Sequence, residues 1–571
     1  MPVAGMDYRI RQDAERKLHR ERGTIFKIAH GKIRIALIYP NTYYVGMSNL
    51  GLQTIYGFLN ERDDVCCERA FLPEPAMLDL YTRTHIPLCS LESQTPLSEF
   101  DILAFSVSYE NDELNILKIL ELAQIPLKAA ERDHDAPLVL LGGALTTINP
   151  EPLALFIDLV VLGDGEDILS NLLERYQQVG ASDTKQEILE RLAQVPGVYV
   201  PAFYDITYDE EGQVTQIISR AGIPFPIRTC PIVDINRYPA YSRILTEDTE
   251  FGDMFLLQIN RGCPYKCRFC HTGYTQIPVR HLSYEIAAQL VRRGLQERER
   301  IGFVGAAIAD YPWLRELCDT IVSENGKLSV SSLRLSALAH ADYLLEALVQ
   351  AGQKTVTLAP EAGTERLRRL IRKPLADIVL YETVEYVIRH QIPNLKFYFL
   401  VGLPTETEDD LEAIIALCTR CRELMLCTAK SLGKMGKMTV SVNPFVPKPF
   451  TPLQWCPMET EPELKRKIHK LQRALQRLGN VEVIHETPKW AVWQGILARG
   501  DRKLGQVLLR TLKLQGNWKK AFQDLDLDPD FYAHRIRTLD EYFPWNHLQV
   551  GVSSQQLHHE YQHLFCSMES Q

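Results

Sequence analysis

Short apolar runs alternate with amphipathic stretches over the first 170 residues. The apolar runs predict strands at residues 33–39, 102–108, 138–141 and 159–162, and helical periodicity marks residues 51–60 and 113–125. Strands that alternate with helices indicate a parallel, doubly wound α/β sheet. Because ligands of such sheets bind beyond the carboxyl ends of the strands, we expect any binding residues of this region in the loops that follow the strands.

A second alternating pattern begins near residue 255. It predicts six strands, at residues 256–260, 301–304, 327–331, 355–358, 396–400 and 438–442. Six strand-helix units favour a partial, open (β/α)6 barrel over a closed eight-fold one.

The rest of the chain is organised around these two patterns. Residues 1–30 form a charged lead-in, and residues 451–571 are mainly helical in pattern. We therefore expect a lead-in (1–30), a doubly wound domain (31–184), a linker with hairpin character (185–250), a barrel (251–450) and a helical C-terminal extension (451–571).

Composition narrows the class of protein. The 571 residues are 46% hydrophobic and 24% charged, as in ordinary globular proteins. We find neither an apolar run of membrane-spanning length nor the apolar core of a signal peptide, which predicts a cytoplasmic protein without a membrane partner. Most of the thirteen cysteines are then expected to be reduced thiols.

The charge of the chain indicates how well it could bind nucleic acid. The net charge of −9 argues against a broadly basic surface. It does not exclude nucleic acid, because a local basic patch is present at Arg366, Arg368, Arg369, Arg372 and Lys373.

Three cysteines carry the most specific chemistry. Cys263, Cys267 and Cys270 form a C-x3-C-x2-C triplet directly after the first predicted barrel strand. Three thiolates at this spacing fit three irons of a 4Fe-4S cube and leave the fourth iron without a protein ligand. A structural zinc site is the alternative, but zinc commonly takes two matched pairs of ligands, and no second pair follows nearby.

The triplet resembles the signature of the radical S-adenosylmethionine (SAM) enzymes. In that superfamily the open iron chelates SAM, and one electron from the cluster cleaves SAM to a 5′-deoxyadenosyl radical. The resemblance implies that Phe269 shields the cluster and presents a backbone amide to SAM. Asp310 stands where the superfamily binds the methionine amino group, although the usual Gly-Gly-Glu is missing and a helix N-cap is an equal alternative.

Further matches follow in the expected order. Ser332 and Arg334 stand where the SAM carboxylate would be bound, with a surface arginine as the alternative. Glu361 resembles the acid that holds the ribose hydroxyls, with a helix-start acid as the alternative. Gly402 lies in a motif similar to the apolar backbone that packs on adenine.

The segment 443–452, with Trp455, looks like a radical SAM subgroup that has an N-terminal cobalamin-binding domain. This makes residues 31–184 a cobalamin-binding-like, Rossmann-like domain, in which Gly142, Gly143, Gly163 and Gly165 resemble the loops that border cobalamin. The D-x-H-x-x-G motif is absent, so a bound cobalamin would lack a histidine on cobalt. A degenerate domain that binds no cobalamin is the alternative.

The resemblance implies a cobalamin-dependent radical SAM enzyme that methylates an unactivated carbon. Its cofactors would be a 4Fe-4S cluster, SAM and cobalamin, and its electron donor a flavodoxin or ferredoxin. One alternative is an RNA methylthiotransferase, which Glu361 and the residues after it also resemble. Its second cluster would need three more cysteines, and Cys66, Cys67 and Cys89 do not occupy a plausible trio of strand-end loops. Another is a non-catalytic cobalamin or iron-sulfur sensor. The sequence does not indicate the substrate.

Overall fold

The computed structural model describes residues 7–180, 182–330, 342–432 and 435–569. The chain forms two compact units. The first comprises Met1–Gly252, Ile496–Tyr532 and Asp540–Gly551, and the second comprises Asp253–Gly495, Ala533–Leu539 and Val552–Gln571. The C-terminal residues are therefore divided between the two units, whereas the sequence pattern treats them as one extension.

In the described part of the first unit, one sheet has the order β2-β1-β3-β4-β5-β6. Its strands are β1 Ile33–Tyr39, β2 Val65–Phe71, β3 Ile102–Ser106, β4 Leu138–Gly142, β5 Leu159–Val161 and β6 Val198–Tyr199. Strands β1 to β5 are parallel, and β6 pairs antiparallel with β5. This is the doubly wound fold that the sequence predicts, with its topological switch point at β1 and β3.

Helices cover this sheet and connect its strands. They are Tyr8–His19, Tyr43–Met47, Leu50–Glu61, Pro75–Thr84, Glu113–Leu122, Gly165–Tyr176 and Lys185–Leu192. The hairpin expected after the sheet is present as β7 Tyr204–Tyr208 and β8 Val214–Ser219, and β9 Ile227–Arg228 follows it.

Strand β2 was not predicted, because charged residues interrupt its apolar pattern. All seven of its residues are nevertheless buried. Arg69 donates hydrogen bonds to Glu21 and Glu92, both at 2.7 Å. Buried charges persist in proteins when they are paired in this way, so the ion pairs explain a strand that hydrophobicity alone does not indicate.

The second unit contains the six predicted barrel strands. The described strands are β10 Met254–Gln258, β11 Asn260–Arg261, β12 Arg280–His281, β13 Arg300–Val304, β14 Lys327–Val330, β15 Thr355–Glu361, β16 Asn394–Val401, β17 Met438–Pro444 and β18 Val481–His485. They form parallel sheets of order β10-β13-β14 and β15-β16-β17-β18, with β11 and β12 as a small antiparallel pair. Strand β18 was not predicted.

Side chains of β16 alternate between buried and half-buried, as expected for a strand with one face on the core. Helices of residues 253–495 are Thr272–Thr275, Tyr284–Glu297, Leu314–Ser323, Asp342–Gln350, Glu365–Leu370, Asp377–Arg389, Glu408–Leu432 and Glu461–Leu475. The helix Pro488–Arg499 begins in this range as well, and Ser554–Glu569 also belongs to the second unit. Leu504–Lys513, Trp518–Asp524 and the strand β19 Leu548–Gln549, which pairs with β9, belong to the first unit, and the short helix Pro529–Ala533 ends at the boundary. None of the described helices is both long and apolar enough to cross a membrane.

Candidate functional site

The cysteine loop leaves the first barrel strand at a sharp turn. Gly262 has a φ of +90°, and a Cβ there would collide with the carbonyl oxygen of Gln276. The Cys270 amide donates to the Cys267 carbonyl oxygen at 2.9 Å. The sequence thus folds into a tight loop in which Cys263, Cys267 and Cys270 are all half-buried.

Three thiols in one half-buried loop form a donor set suited to an iron-sulfur cluster. In a 4Fe-4S cube each cysteine binds a different iron, whereas the ligands of a zinc ion surround one atom. Within the described ranges, no group of three or more His, Cys, Asp or Glu side chains is placed to hold a metal ion, so the cluster assignment rests on the spacing of the three cysteines and on their shared loop.

Arg268 lies between the second and third cysteines and binds the loop to the turn at residues 370–371. Its amide donates to the Ile371 carbonyl oxygen at 2.9 Å, and its Nη1 donates to the Leu370 carbonyl oxygen at 2.8 Å. Its Nε donates to Glu560 Oε2 at 3.3 Å. Neither Arg268 nor Glu560 was selected from the sequence, because the partners lie 292 residues apart.

Phe269 packs against a buried apolar cluster of the second unit. The cluster comprises Ala362, Leu367, Leu370, Ile371, Leu403, Phe445, Leu453, Cys456 and Leu564. Phe269 therefore anchors the loop to the core, and its predicted role toward SAM stays a prediction.

Asp310 lies beside the cysteine loop. Its Oδ1 accepts a hydrogen bond from the Tyr265 hydroxyl at 2.6 Å. The next helix begins at Leu314 with Trp313 as its N-cap, so Asp310 does not cap it. Contact with the methionine amino group stays a prediction, and Ser332 and Arg334 lie outside the described residues.

Asn260 is a buried polar residue at this end of the sheet that the sequence analysis missed. Its Nδ2 donates to the Ala307 carbonyl oxygen at 2.7 Å, which connects the start of the cysteine loop to the loop after β13. Its Oδ1 lies against Gly305, where a Cβ would collide with it. The buried amide therefore fixes the two loops in which Cys263 and Asp310 lie.

Glu361 ends β15 in a strained conformation. Its φ is +68°, an uncommon value for a non-glycine residue and one that clusters at functional sites. Its Oε1 accepts a hydrogen bond from Lys373 Nζ at 2.8 Å. Burial raises the pKa of Glu361, and the charge of Lys373 opposes that rise. A buried carboxylate at a strand end, held by one lysine, is suited to accept hydrogen bonds from ligand hydroxyls.

Gly402 also has a positive φ, of +81°. Its amide donates to Glu406 Oε2 at 2.8 Å, and Lys467 Nζ donates to the same oxygen at 2.8 Å. A Cβ at position 402 would lie 2.8 Å from Cβ of Glu459. The chain's own packing therefore requires this glycine, and the proposed contact with adenine stays a prediction.

The basic patch around Arg366 is neutralised by acidic residues of the same unit. The ion pairs are Arg366 with Asp410, Arg368 with Asp377, Arg369 with Glu365, Arg372 with Glu560 and Lys373 with Glu361. Each cation therefore has an acidic neighbour, and the patch is less suited to bind phosphates than the sequence alone indicates.

The glycines assigned to cobalamin contact the chain's own backbone. Gly143 has a φ of +95°, and its Cβ would lie 2.7 Å from the Val107 amide nitrogen. Gly163 has a φ of +122°, and its Cβ would lie 2.7 Å from the Cys230 carbonyl oxygen. These close approaches account for both glycines without a ligand. They provide no evidence of a cradle for cobalamin.

Gly142 and Gly165, the other two glycines assigned to cobalamin, do not indicate a binding site for it either. A Cβ at Gly142 would have the Phe105 carbonyl oxygen as its nearest neighbour, at 3.8 Å, and one at Gly165 would approach Ile55 Cδ1 at 3.2 Å. Cobalamin binding by this domain stays a prediction.

The switch point of the first sheet carries polar residues that the sequence analysis did not select. Asn41, after β1, donates through Nδ2 to Asp112 Oδ1 at 2.8 Å. Asn115 donates to the same oxygen at 3.4 Å. Burial raises the pKa of Asp112 to about 6. This edge is where a doubly wound sheet binds ligands.

Two family descriptions match the chain. Residues 257–418 match the radical SAM superfamily, and residues 51–201 match the N-terminal region of radical SAM proteins. The chain therefore contains a radical SAM domain, in which the cysteine loop lies at the start of a parallel sheet, and an N-terminal radical SAM domain precedes it. Proteins of the radical SAM superfamily use SAM and a 4Fe-4S cluster.

Individual relatives share less than 30% of their residues with the chain. The chain is 28% identical to "Uncharacterized protein MJ0966" of Methanocaldococcus jannaschii, over 83% of this chain and 90% of that protein. It is 27% identical to a tRNA-2-methylthio-N(6)-dimethylallyladenosine synthase of Wolbachia sp. subsp. Brugia malayi, over 30% of this chain and 41% of the synthase.

A similar solved structure is the cobalamin-dependent SAM radical enzyme OxsB with aqua-cobalamin and SAM bound. It shares 13% identity with a TM-score of 0.46, over 94% of this chain and 79% of OxsB.

Proposed function

We propose that this radical SAM enzyme holds a 4Fe-4S cluster through Cys263, Cys267 and Cys270 and binds SAM at the adjoining strand ends. The observation that carries the proposal is the position of the triplet, in a tight loop directly after the first strand of a parallel sheet. Barrel enzymes place their chemistry at this end of the strands.

Held by Cys263, Cys267 and Cys270, a cluster would supply the one electron that cleaves SAM to methionine and a 5′-deoxyadenosyl radical, and this radical would abstract a hydrogen atom from the substrate. The residues of the chain position the reactants. Arg268 and Phe269 fix the cysteine loop. Glu361 accepts hydrogen bonds from the ribose hydroxyls, and the backbone around Gly402 supports the adenine. A flavodoxin or ferredoxin is the expected electron donor.

The reaction that follows the radical has two candidates. Cobalamin-dependent methylation of an unactivated carbon follows from the subgroup resemblance, and its test is cobalt content. Protein purified from cells supplied with cobalamin should contain stoichiometric cobalt with a base-off spectrum. Cobalt that stays absent at saturating cobalamin would remove this mechanism.

RNA methylthiolation is the second candidate, because methylthio-adenosine synthases are among the relatives of the chain. Its second cluster would need Cys66, Cys67 and Cys89. Cys66 and Cys67 are consecutive in β2, so their side chains point to opposite faces of the sheet. Burial raises the pKa of all three thiols, which disfavours the thiolates that bind iron. These observations rank methylthiolation below methylation.

The cluster assignment is tested by anaerobic purification. We expect about four iron and four sulfide per chain, and formation of 5′-deoxyadenosine from SAM after reduction with dithionite. Cys267→Ala should lose both. The matched control is Cys427→Ser, which changes an exposed cysteine of the same unit and should keep both. A Cys267→Ala variant with a full cluster and full SAM cleavage contradicts the proposal.

A further inference from the structure

The helix Ser554–Glu569 contacts the cysteine loop. Glu560 on this helix forms ion pairs with Arg268, at 3.3 Å, and with Arg372. The side chains of Arg268 and Glu560 are only 12% and 22% exposed. No motif in the sequence assigns a role to the C-terminal residues, and this contact connects them to the loop that carries the proposed iron ligands.

Each oxygen of the Glu560 carboxylate meets a different arginine. Oε2 accepts from Arg268, inside the cysteine loop, and Oε1 accepts from Arg372. Arg372 follows Leu370 and Ile371, whose carbonyl oxygens accept the other two hydrogen bonds of Arg268. The carboxylate therefore closes a ring that joins the C-terminal helix, the cysteine loop and the turn 370–373.

The same turn also reaches the proposed SAM site. Lys373, next to Arg372, donates to Glu361 at 2.8 Å. Arg372 has a φ of +58°, so the turn that holds both contacts is itself strained. A shift of this turn would move the cysteine loop and the Glu361 carboxylate together.

Apolar contacts hold the helix independently of Glu560. Leu564 is buried in the cluster against which Phe269 packs, and Tyr561 packs on the same cluster. The Trp455 ring lies 4.8 Å from the ring of His558 and 5.3 Å from that of Tyr561. Loss of the Glu560 charge should therefore leave the helix in place, and its effect can be separated from unfolding.

We propose that Glu560 is a positioning residue of the cluster, which fixes Arg268 and offsets one of the two positive charges that Arg268 and Arg372 place near the cluster. The inference rests on the proposed function, because it needs the cluster at Cys263, Cys267 and Cys270. Net charge and hydrogen bonding around a cluster set its reduction potential. Reduction adds one negative charge, so an unbalanced arginine nearby stabilises the reduced form and an unbalanced carboxylate destabilises it.

Two variants then shift the potential in opposite directions. Glu560→Gln leaves Arg268 and Arg372 without their shared carboxylate, so the midpoint potential should become more positive. Arg372→Gln removes one positive charge from the group that Arg268, Arg372 and Glu560 form, so the midpoint potential should become more negative. If the contact only stabilised the fold, the two variants would not shift the midpoint potential in opposite directions.

The experiment is a redox titration of each full-length variant without SAM, monitored by electron paramagnetic resonance (EPR). The matched control is Glu385→Gln, which removes the acid of the exposed helical pair with Arg389 and should leave the potential unchanged. Iron and sulfide content and thermal unfolding are measured on the same samples. We expect wild-type content in all variants and shifts of opposite sign for Glu560→Gln and Arg372→Gln.

The outcomes separate the two proposals. If wild-type protein holds no cluster, the proposed function fails and this inference fails with it. If the wild type holds a cluster but both variants keep its potential, or shift it in the same direction, Glu560 has no positioning role and the proposed function stands.

Discussion

Substitution of Glu361 by glutamine should weaken SAM binding without loss of iron. Glu361 is proposed to accept from the ribose hydroxyls and lies outside the cysteine triplet. A hydrogen bond to a charged group contributes about 1.5–3 kcal/mol, which corresponds to a roughly 10- to 100-fold change in affinity. Glutamine keeps the shape and an acceptor oxygen but removes the charge.

The structure adds a second effect, through Lys373. The two side chains are 13% and 18% exposed, so the variant leaves a mostly buried ammonium without its counter-charge. Breaking a buried pair costs up to about 3–5 kcal/mol of unfolding free energy, and partial exposure reduces this cost. The double variant Glu361→Gln/Lys373→Met should recover stability but not SAM affinity, which separates folding from binding.

Calorimetric titration of anaerobic protein with SAM gives the affinity. The matched control is Glu365→Gln, which changes a half-buried acid on the next helix and should bind SAM normally. Unchanged SAM affinity in Glu361→Gln with full iron content would refute the ribose contact and make Glu361 a structural residue.

The pH dependence follows from the same pair. Burial raises the pKa of Glu361, so its carboxylate takes up a proton at a higher pH than an ordinary glutamate. SAM affinity should therefore fall as pH is lowered. In Lys373→Met the opposing charge is lost, and the fall should begin at a higher pH. Identical pH profiles for the wild type and this variant would contradict the assignment.

Three further predictions concern the first unit. Gly163→Ala adds a Cβ 2.7 Å from the Cys230 carbonyl oxygen at a φ of +122°, and denaturant unfolding should show a loss of about 2–4 kcal/mol. Gly222→Ala, at a φ of +80° with open space, is the control and should lose only about 1 kcal/mol; equal losses would contradict the steric argument. Arg69→Met leaves two buried carboxylates unpaired and should cost about 3–5 kcal/mol, whereas a change below about 1 kcal/mol would show that the pairs stabilise little. Burial lowers the pKa of His547 to about 4, below the unfolded value near 6.5, so its contribution is complete above pH 6.5 and is lost as pH falls to 4. Unfolding free energy in this window should fall more steeply, by up to about 3 kcal/mol, in the wild type than in His547→Gln, and parallel curves would contradict the shift.

Apolar runs made much of the fold predictable. They indicate β1, β3, β4 and β5 because these strands are buried parallel strands. Hydrophobic periodicity fails for β2, where ion pairs replace apolar contacts. It also fails for β18, an edge strand with a single buried side chain.

The site was predictable only where its signal is local. The spacing of Cys263, Cys267 and Cys270 is readable because all three ligands lie within eight residues. The pairing of Arg268 with Glu560 spans 292 residues and depends on tertiary structure. The role of a glycine is not readable from the sequence. Gly163 is required because the backbone of Cys230 packs against it, and the sequence does not distinguish this case from a glycine that packs against a ligand.

The central claim is a cluster with three protein ligands and one open iron that binds SAM. EPR of the reduced wild-type protein with and without SAM tests it most directly, with SAM carrying ¹⁷O in its carboxylate as the probe. The account predicts that SAM changes the cluster spectrum and that the labelled oxygen broadens it, because that oxygen binds the fourth iron. A reduced cluster whose spectrum is the same with and without SAM would contradict the account.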